Sequence, residues 1–328
     1  MDKRNASLNR AKREKNDEFY TQKKDIENEL IHYHSHLKDK IVYCNCDDYN
    51  KSKFVEYFME NFEKIGLKKL ISTGFSKDGQ GTYSEYDGTA LKTGFLSGNG
   101  DALGEECTEI LKQADVVVTN PPFSLFRKYV FNLMKYGKKF LIIGNMNAII
   151  YKEIFQYIKN NELWLGIHSN KTMDFGMPNT YEKWDRIENG VKIGKVPAIS
   201  WFTNIPHNHR NEELDLYKKY NETDYPKYDN YDAINVDKTA DIPMDYDGVM
   251  GVPITFLTKY CPTQFEIVGC TGADIVPTDW KGMSSEFIKT YYAQGNTGSY
   301  EEGNRLASYI HNGIAKVPYA RILIRRKK

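Results

Sequence analysis

The sequence predicts an α/β fold, a mostly parallel sheet with helices on both faces, and three observations carry that prediction. Short uninterrupted apolar runs recur, Val116-Val117-Val118 and Phe140-Leu141-Ile142-Ile143 among them. Runs of this length without polar alternation suit strands buried on both faces of a parallel sheet. Between such runs lie stretches with helical apolar spacing, such as Phe54, Val55, Phe58, Phe62 and Ile65, a pattern that buries one helix face. The two kinds of segment alternate as far as Ala198–Thr203, which is how strand–helix–strand units are read from sequence. From about Pro206 the composition changes, so residues 1–205 are expected to form one domain and 206–328 a second region.

In chain order, residues 1–16 are polar and basic, with six Lys/Arg against two acids, and are expected to be mobile. Asp17-Glu18-Phe19-Tyr20-Thr21-Gln22 precedes a helical stretch from Asp25 to about Lys38. Phe19 and Tyr20 suit either simple packing ahead of that helix or a lid over a ligand. His32 and His36 share a helix face that His34 does not, and without a third ligand they read as a solvated face rather than a metal site. Lys40–Cys46 is a strand whose exit carries Asp47 and Asp48. These acids fit either a ligand ammonium or a capping turn before the helix at Ser52–Ile65. Lys69–Ser72 is the second strand, with no acidic residue at its end. Residues 74–106 read as hairpins and loops, where Gly100-Asp101 fits a ligand contact or a plain turn. A helix over Glu109–Gln113 leads into the strand Asp115–Thr119. Helices over Phe126–Lys135 and Ile149–Lys159, and strands at Lys139–Gly144, Leu163–Ile167 and Ala198–Thr203, complete the first part.

Asp115–Phe123 organises the whole. Pro121-Pro122 stops the strand, because neither proline can donate to the ladder. Asn120 and Phe123 are thereby set at a carboxyl-terminal strand edge, where open α/β sheets bind ligands. Ser124 is the expected N-cap of the following helix. The tetrad Asn120-Pro121-Pro122-Phe123 resembles the catalytic motif of amino-methyltransferases that use S-adenosylmethionine. Its chemistry is intelligible from the residue types. The exocyclic nitrogen of adenine is a poor nucleophile, since its lone pair is delocalised into the ring. The Asn120 side-chain carbonyl and the Pro121 backbone carbonyl can accept its two hydrogens and draw it toward tetrahedral geometry, while Phe123 stacks on the base.

Composition sets outer bounds. At 328 residues the chain can build one large or two moderate cores. With 40% hydrophobic and 27% charged residues it is ordinary for a soluble protein. No run approaches a membrane span, and the charged N-terminus shows no secretory signal. Five cysteines in no zinc spacing suit a reduced intracellular protein, and no metal is expected. Net charge is only +1, yet residues 321–328 carry five Lys/Arg and no acid. Tyr225–Tyr231 is too polar for a core, and its aromatics, lysine and amides suit nucleic-acid contact or a surface loop with half-packed tyrosines, which is the reading for any single residue there. Gly251–Leu257, Gln264–Val268 and Arg321–Ile324 read as strands, and 269–318 as loop-rich.

Eight segments carry a wider likeness: Asp17–Gln22, Asp25–Leu30, Val42–Asp48, Ala114–Phe126, Lys138–Ile143, Tyr225–Val236, Gly248–Leu257 and Arg321–Ile324. By these the chain resembles the EcoRI-type adenine-specific DNA methyltransferases of bacterial restriction–modification systems. The resemblance implies a Rossmann-like class I S-adenosylmethionine-dependent methyltransferase sheet with a smaller C-terminal target-recognition region. It implies methyl transfer from S-adenosylmethionine to N6 of a flipped adenine in duplex DNA, with S-adenosylhomocysteine as product. Asn120, Pro121, Pro122 and Phe123 would hold the base; Phe19, Tyr20, Thr21, Cys46, Asp47 and Asp48 would line the cofactor, with Asp101 assigned beside them. A cytoplasmic, bacterial or phage-encoded monomer is expected; whether a restriction endonuclease acts at the same site does not follow from the sequence, and no stable complex with one is expected. Residues 169–197 and 269–318 match the family poorly, so the recognised DNA sequence does not follow. RNA or protein-glutamine methylation, or a catalytically silent DNA-binding module, are the rival readings. Cytosine C5 methylation is excluded, because it needs a nucleophilic cysteine where Phe123 follows Pro122.

Overall fold

A computed structural model describes residues 19–178, 181, 182 and 184–327. The basic stretch 1–16 and the lid acids Asp17 and Glu18 lie outside these residues. The chain divides into two compact units, Met1–Ala148 with Trp164–His207, and Ile149–Leu163 with Asn208–Lys328. A boundary at 205/206 leaves residues 149–163 with the first part; their contacts group them with the second unit.

Unit one runs β1 (Tyr20–Thr21), α1 (Lys23–Leu30), α2 (His34–Leu37), β2 (Ile41–Cys44), α3 (Lys53–Glu60), α4 (Phe62–Ile65), β3 (Lys69–Gly74), β4 (Thr82–Tyr86), β5 (Leu91–Phe95), α5 (Glu105–Gln113), β6 (Val116–Thr119), α6 (Phe126–Lys135) and β7 (Lys139–Asn145). It resumes, after α7 (Lys152–Lys159) of the second unit, with β8 (Trp164–Leu165), β9 (Lys171–Gly176), β10 (Arg186–Glu188) and β11 (Val191–Thr203). The strands form one sheet ordered β1-β9-β11-β7-β6-β2-β3-β4-β5, with β8 and β10 also paired to β11. Only β7, β6, β2 and β3 are mutually parallel. The mostly parallel sheet expected from sequence is therefore corrected to a mixed one: a parallel centre flanked by antiparallel strands. The flanks are antiparallel because β3, β4 and β5 are joined by turns too short for a crossover helix, while the 13-residue β11 returns against β7 and β9.

The three-valine strand is the buried centre: all four residues of β6 are inaccessible, as parallel strands covered on both faces must be. Helix α3 covers one face with Phe54, Val55, Tyr57 and Phe58. The predicted helix at Ser52–Ile65 is broken at Asn61, so α4 is a separate turn closed by Gly66 at φ 73°. The helix expected from Asp25 to Lys38 is likewise divided, by a 3-10 turn at Ile31–Tyr33. His34 is not simply solvated, since its Nε2 lies 2.7 Å from the Tyr57 hydroxyl. Leu125, not Ser124, occupies the N-cap of α6. Helix α5 starts at Glu105, four residues before the sequence estimate. Within unit one, the fully buried Glu29 of α1 accepts from the backbone N–H of Ile167 (2.8 Å) and His168 (2.7 Å), from His168 Nδ1 (2.9 Å) and from the Tyr33 hydroxyl (3.0 Å).

Unit two holds a four-stranded sheet ordered β12 (Ala233–Asn235), β13 (Val249–Pro253), β17 (Arg321–Arg326) and β14 (Phe265–Cys270). It adds helix α8 (Ser285–Ala293) and a hairpin of β15 (Tyr309–His311) and β16 (Ile314–Lys316). The expected strand Gly251–Leu257 is half right: Pro253 ends it and Ile254–Lys259 turns into 3-10 helix. Residues 269–318 are not merely loops, because α8 packs against β16 there. Tyr225–Tyr231 is also corrected. Tyr225, Tyr228 and Asn230 are buried, which is possible because their polar ends find partners, the two hydroxyls at Asp241 O (2.7 Å) and Asn235 Oδ1 (3.0 Å).

Removing the Glu29 acceptor would strand several buried donors. Glu29→Ala is expected to lower unfolding free energy by about 3–5 kcal/mol in urea titrations. The same carboxylate holds the His168 imidazole above its ordinary value of 6.5. A raised folded value means stabilisation complete below pH 6.5 and lost as pH rises through the folded value. The stability gap between wild type and His168→Ala should therefore shrink across that range.

Candidate active site

Because β2, β3 and β6 are parallel neighbours, their carboxyl ends open on one edge, and the residues just past each end line one cavity of about 240 Å³. The exit of β2 supplies Asn45, Cys46, Asp47 and Asp48, that of β3 supplies Gly74 and Phe75, and that of β6 supplies Asn120, Pro122 and Ser124. Phe19, Tyr20 and Thr21 enter from the segment at β1, and Gly100, Asp101 and Ala102 from the loop before α5. Every catalytic or cofactor candidate named from the sequence is here except Pro121 and Phe123, which are buried beside the cavity rather than on its wall. Phe123 is 8% exposed and meets the Phe19 ring edge-on at 6.0 Å.

Asp47 ties the wall together. Its backbone N–H donates to Thr73 O at the end of β3 (2.8 Å), and its carboxylate accepts from the hydroxyls of Ser52 (2.6 Å) and Thr119 (2.5 Å). Ser52 caps α3, accepting from the N–H of Phe54 (3.1 Å) and Val55 (3.3 Å), and Thr119 immediately precedes Asn120. Burial pushes the Asp47 carboxyl up to about 6, and the two hydroxyls partly offset that. Asp48 closes the turn, its Oδ1 accepting from Asn50 N–H (3.1 Å). The two readings of this acid pair thus coincide: the acids build the capping turn and also face the cavity. Asp101 likewise makes its turn, accepting from Leu103 N–H (2.9 Å), while lining the wall.

Asn120 donates from Nδ2 to Phe19 O at 2.6 Å, which turns its carbonyl the other way, and that buried Oδ1 has no hydrogen-bond partner among the described residues. Thr21 Oγ1 and Asn45 Nδ2 are also buried without partners among the described residues, and both residues line the cavity. The Asn45 amide is fixed from behind by the Tyr129 hydroxyl on its Oδ1. Buried polar atoms normally find partners. An acceptor and a donor of fixed orientation, with a hydroxyl beside them, make a surface suited to a polar ligand.

Sequence reading missed Asn45, Gly74 and Phe75, and named Gly100 only beside Asp101. Phe75 is 48% exposed although it stands in the cavity wall, and an aromatic directly after a strand end was the available signal. At Gly74 an added Cβ would lie 2.8 Å from Asp48 Cα, and at Gly100, where φ is +79°, 2.4 Å from Gly74 O. Backbone packs on backbone here, leaving room beside the wall for a ligand.

Comparison with known proteins decides the family. The family model for adenine-specific methyltransferase EcoRI matches residues 7–95 and 84–327. The chain belongs to that family. It is 50% identical over 289 residues to the type II methyltransferase M.EcoRI of Escherichia coli, covering 80% of this chain and 89% of the relative. It is 45% identical over 317 residues to the type II methyltransferase M.MgeORF184P of Mycoplasma genitalium, covering 94% and 98%. A third relative, type II methyltransferase M.MpnI of Mycoplasma pneumoniae, is 43% identical over 271 residues, 80% of this chain and 85% of its own length. Membership makes the protein an enzyme, a DNA methyltransferase of a restriction–modification system.

Gly100→Ala should be costlier than Gly137→Ala. Both glycines have positive φ, but nothing lies within 4 Å of a Cβ at Gly137. Gly137→Ala is expected to cost about 1–2 kcal/mol from the left-handed backbone alone. Gly100→Ala adds a clash with backbone, so it should show a larger loss in urea titrations and weaker ligand binding.

Proposed function

We propose that the cavity binds S-adenosylmethionine and that the Asn120–Phe123 turn presents the N6 amine of a flipped adenine to it. The observation that carries this reading is the orphaned Asn120 Oδ1. A buried carbonyl, held by the Phe19 backbone and left without a donor, is what an exocyclic amine would satisfy. S-adenosylmethionine, when bound, supplies an electrophilic methyl on a sulfonium centre. The chain's own part is to hold and orient. Asn120 Oδ1 accepts one amine hydrogen and the Pro121 carbonyl the other, rehybridising the nitrogen toward attack. Pro122 is pinned by its carbonyl, which accepts from Leu125 N–H at 2.9 Å, so the turn cannot relax as the base enters.

For the cofactor, the residues fit. Thr21, Asn45, Cys46, Asp47, Asp48 and Asp101 offer hydroxyl, amide and carboxylate groups to an amino acid and a nucleoside. Phe19, Tyr20 and Phe75 offer apolar surface, and nothing in the residue set calls for a metal. Phe123 is the stacking partner for the base. At 8% exposure it must give up part of its ring contact with Phe19 to serve so. The core of unit one supports a Rossmann-like class I sheet by its parallel β7-β6-β2-β3 centre and its ligand edge. We assign DNA sequence recognition to the region from 206 onward, and take the enzyme to act as a monomer on the site of a partner endonuclease.

The decisive assay incubates the protein with labelled S-adenosylmethionine and unmethylated duplex DNA, digests the product and identifies each methylated nucleoside. Label should appear in N6-methyladenine. No label in DNA despite cofactor binding would move the acceptor to RNA or protein. Asn120→Ala should lower turnover by about 10²–10³-fold with cofactor affinity within a few-fold; full activity in a folded, cofactor-binding variant would refute the mechanism. A cationic ligand beside Asp47 favours its ionised form. Affinity for S-adenosylmethionine should therefore rise with pH by up to about tenfold per unit below 6 and level off above it, as read by calorimetry between pH 5 and 8.

A further inference from the structure

The β15–β16 hairpin of unit two is too small to be stable by itself, since each strand has three residues, yet it is fastened at both ends. At its base, the Tyr309 hydroxyl receives Asn235 Nδ2 (3.3 Å), and Asn235 Oδ1 accepts from Arg321 Nε (3.1 Å). Near its tip, Gln294 just past α8 grips the turn and β16: Nε2 donates to Gly313 O (2.8 Å) and Oε1 accepts from Ala315 N–H (2.9 Å). Asn312 and Gly313, at φ 51° and 77°, make the two-residue left-handed turn that suits hairpin twist.

What this bracing holds out is chemically specific. His311 pairs across the hairpin with Ile314, and Tyr309 with Lys316, so an imidazole, a branched aliphatic chain and an ammonium share one face with Tyr309, which is buried at the base. Asn312 stands at the tip with its amide 3.3 Å from His311 Nε2. Ile310 and Ile314 are 44% and 54% exposed. Apolar side chains beside a rigid turn in water are not explained by packing, since the two clusters that meet the hairpin take Tyr309 from one face and Ala315 from the other.

We propose that this hairpin enters the major groove of duplex DNA and that His311 and Asn312 are specificity-determining residues, reading base edges. The inference rests on the DNA-methyltransferase reading above and deepens it. The major groove admits a two-stranded ribbon, and its base edges offer donors and acceptors to amide and imidazole groups and a thymine methyl to an aliphatic chain. Ile314 supplies that apolar contact, and Lys316 meets a backbone phosphate. Gln294 is a positioning residue: it acts through the tip.

The test uses the whole protein, with methylated adenines mapped by sequencing across a bacterial genome lacking adenine methylation, kcat/KM measured on a duplex carrying the preferred site, and cofactor affinity measured by calorimetry. Asn312→Ala and His311→Ala should each lower kcat/KM at the preferred site by about ten- to a hundredfold and spread methylation to sites differing at one position, with cofactor affinity unchanged. Gln294→Ala should broaden the site without abolishing methylation. Lys316→Ala should weaken all sites alike. Tip variants that bind cofactor and keep both the wild-type site and a kcat/KM within twofold would overturn the proposal. A wild-type protein that binds cofactor but labels no DNA would overturn the reading beneath it, a result separable from the first because no variant is involved.

Discussion

A single buried carboxylate sets the geometry of the candidate active site. Asp47 joins the cap of the helix that follows it to two segments that sequence places far away: its backbone reaches Thr73 at the end of β3, and its oxygens take the Ser52 cap of α3 and Thr119 at the end of β6. Asn120, the residue on which the proposed chemistry turns, follows Thr119 directly. An acid in such a place resists ionisation, and its carboxyl is accordingly pushed up to about 6. The arrangement is costly to the fold and useful to the site, because a carboxylate whose nearest partners are neutral hydroxyls leaves its charge to act on a cationic ligand. Buried acids of this kind concentrate at functional sites.

Around that carboxylate the cavity is organised by what each polar group lacks. Asn45 is held by Tyr129 from one side and Asn120 by Phe19, so each amide is committed at one end and open at the other. Fixing orientation before a ligand arrives lowers the reorganisation needed on binding and during reaction. The close-packed glycines serve the same end by a different route, since backbone against backbone at Gly74 and Gly100 admits no side chain into the space. The second unit repeats the device at its hairpin, where Gln294 and the buried Tyr309–Asn235–Arg321 chain hold exposed groups in place.

Much of this was legible in the residues. The Val116–Val118 run, the proline stop and the amphipathic spacing of Phe54–Ile65 carry their own physics, so the central strand, its ending and the helix covering it could be placed. Asp47, Asp48 and Asp101 could be named but not given a single role. Their turn and ligand readings use the same atoms, and sequence does not say which way a side chain faces. The tyrosines at 225 and 228 misled because polar composition argues for the surface unless partners exist, and theirs come from Asp241 and Asn235, distant in chain or hidden in the core. The Asn312-Gly313 turn was a readable hairpin signal, obscured by strands too short to show alternation.

By itself the sequence determined the α/β character, the proline-stopped turn after a buried strand, and the family, because these depend on local apolar period, on proline's missing donor and on contiguous motifs. Only the tertiary structure decided that the sheet is mixed, that Asn120 keeps one unsatisfied oxygen, that Phe75 stands in the cavity wall, and that Glu29 lies buried among four donors. Each of these depends on which distant residues become neighbours, and hydrogen-bond satisfaction and burial are properties of neighbours, not of residues.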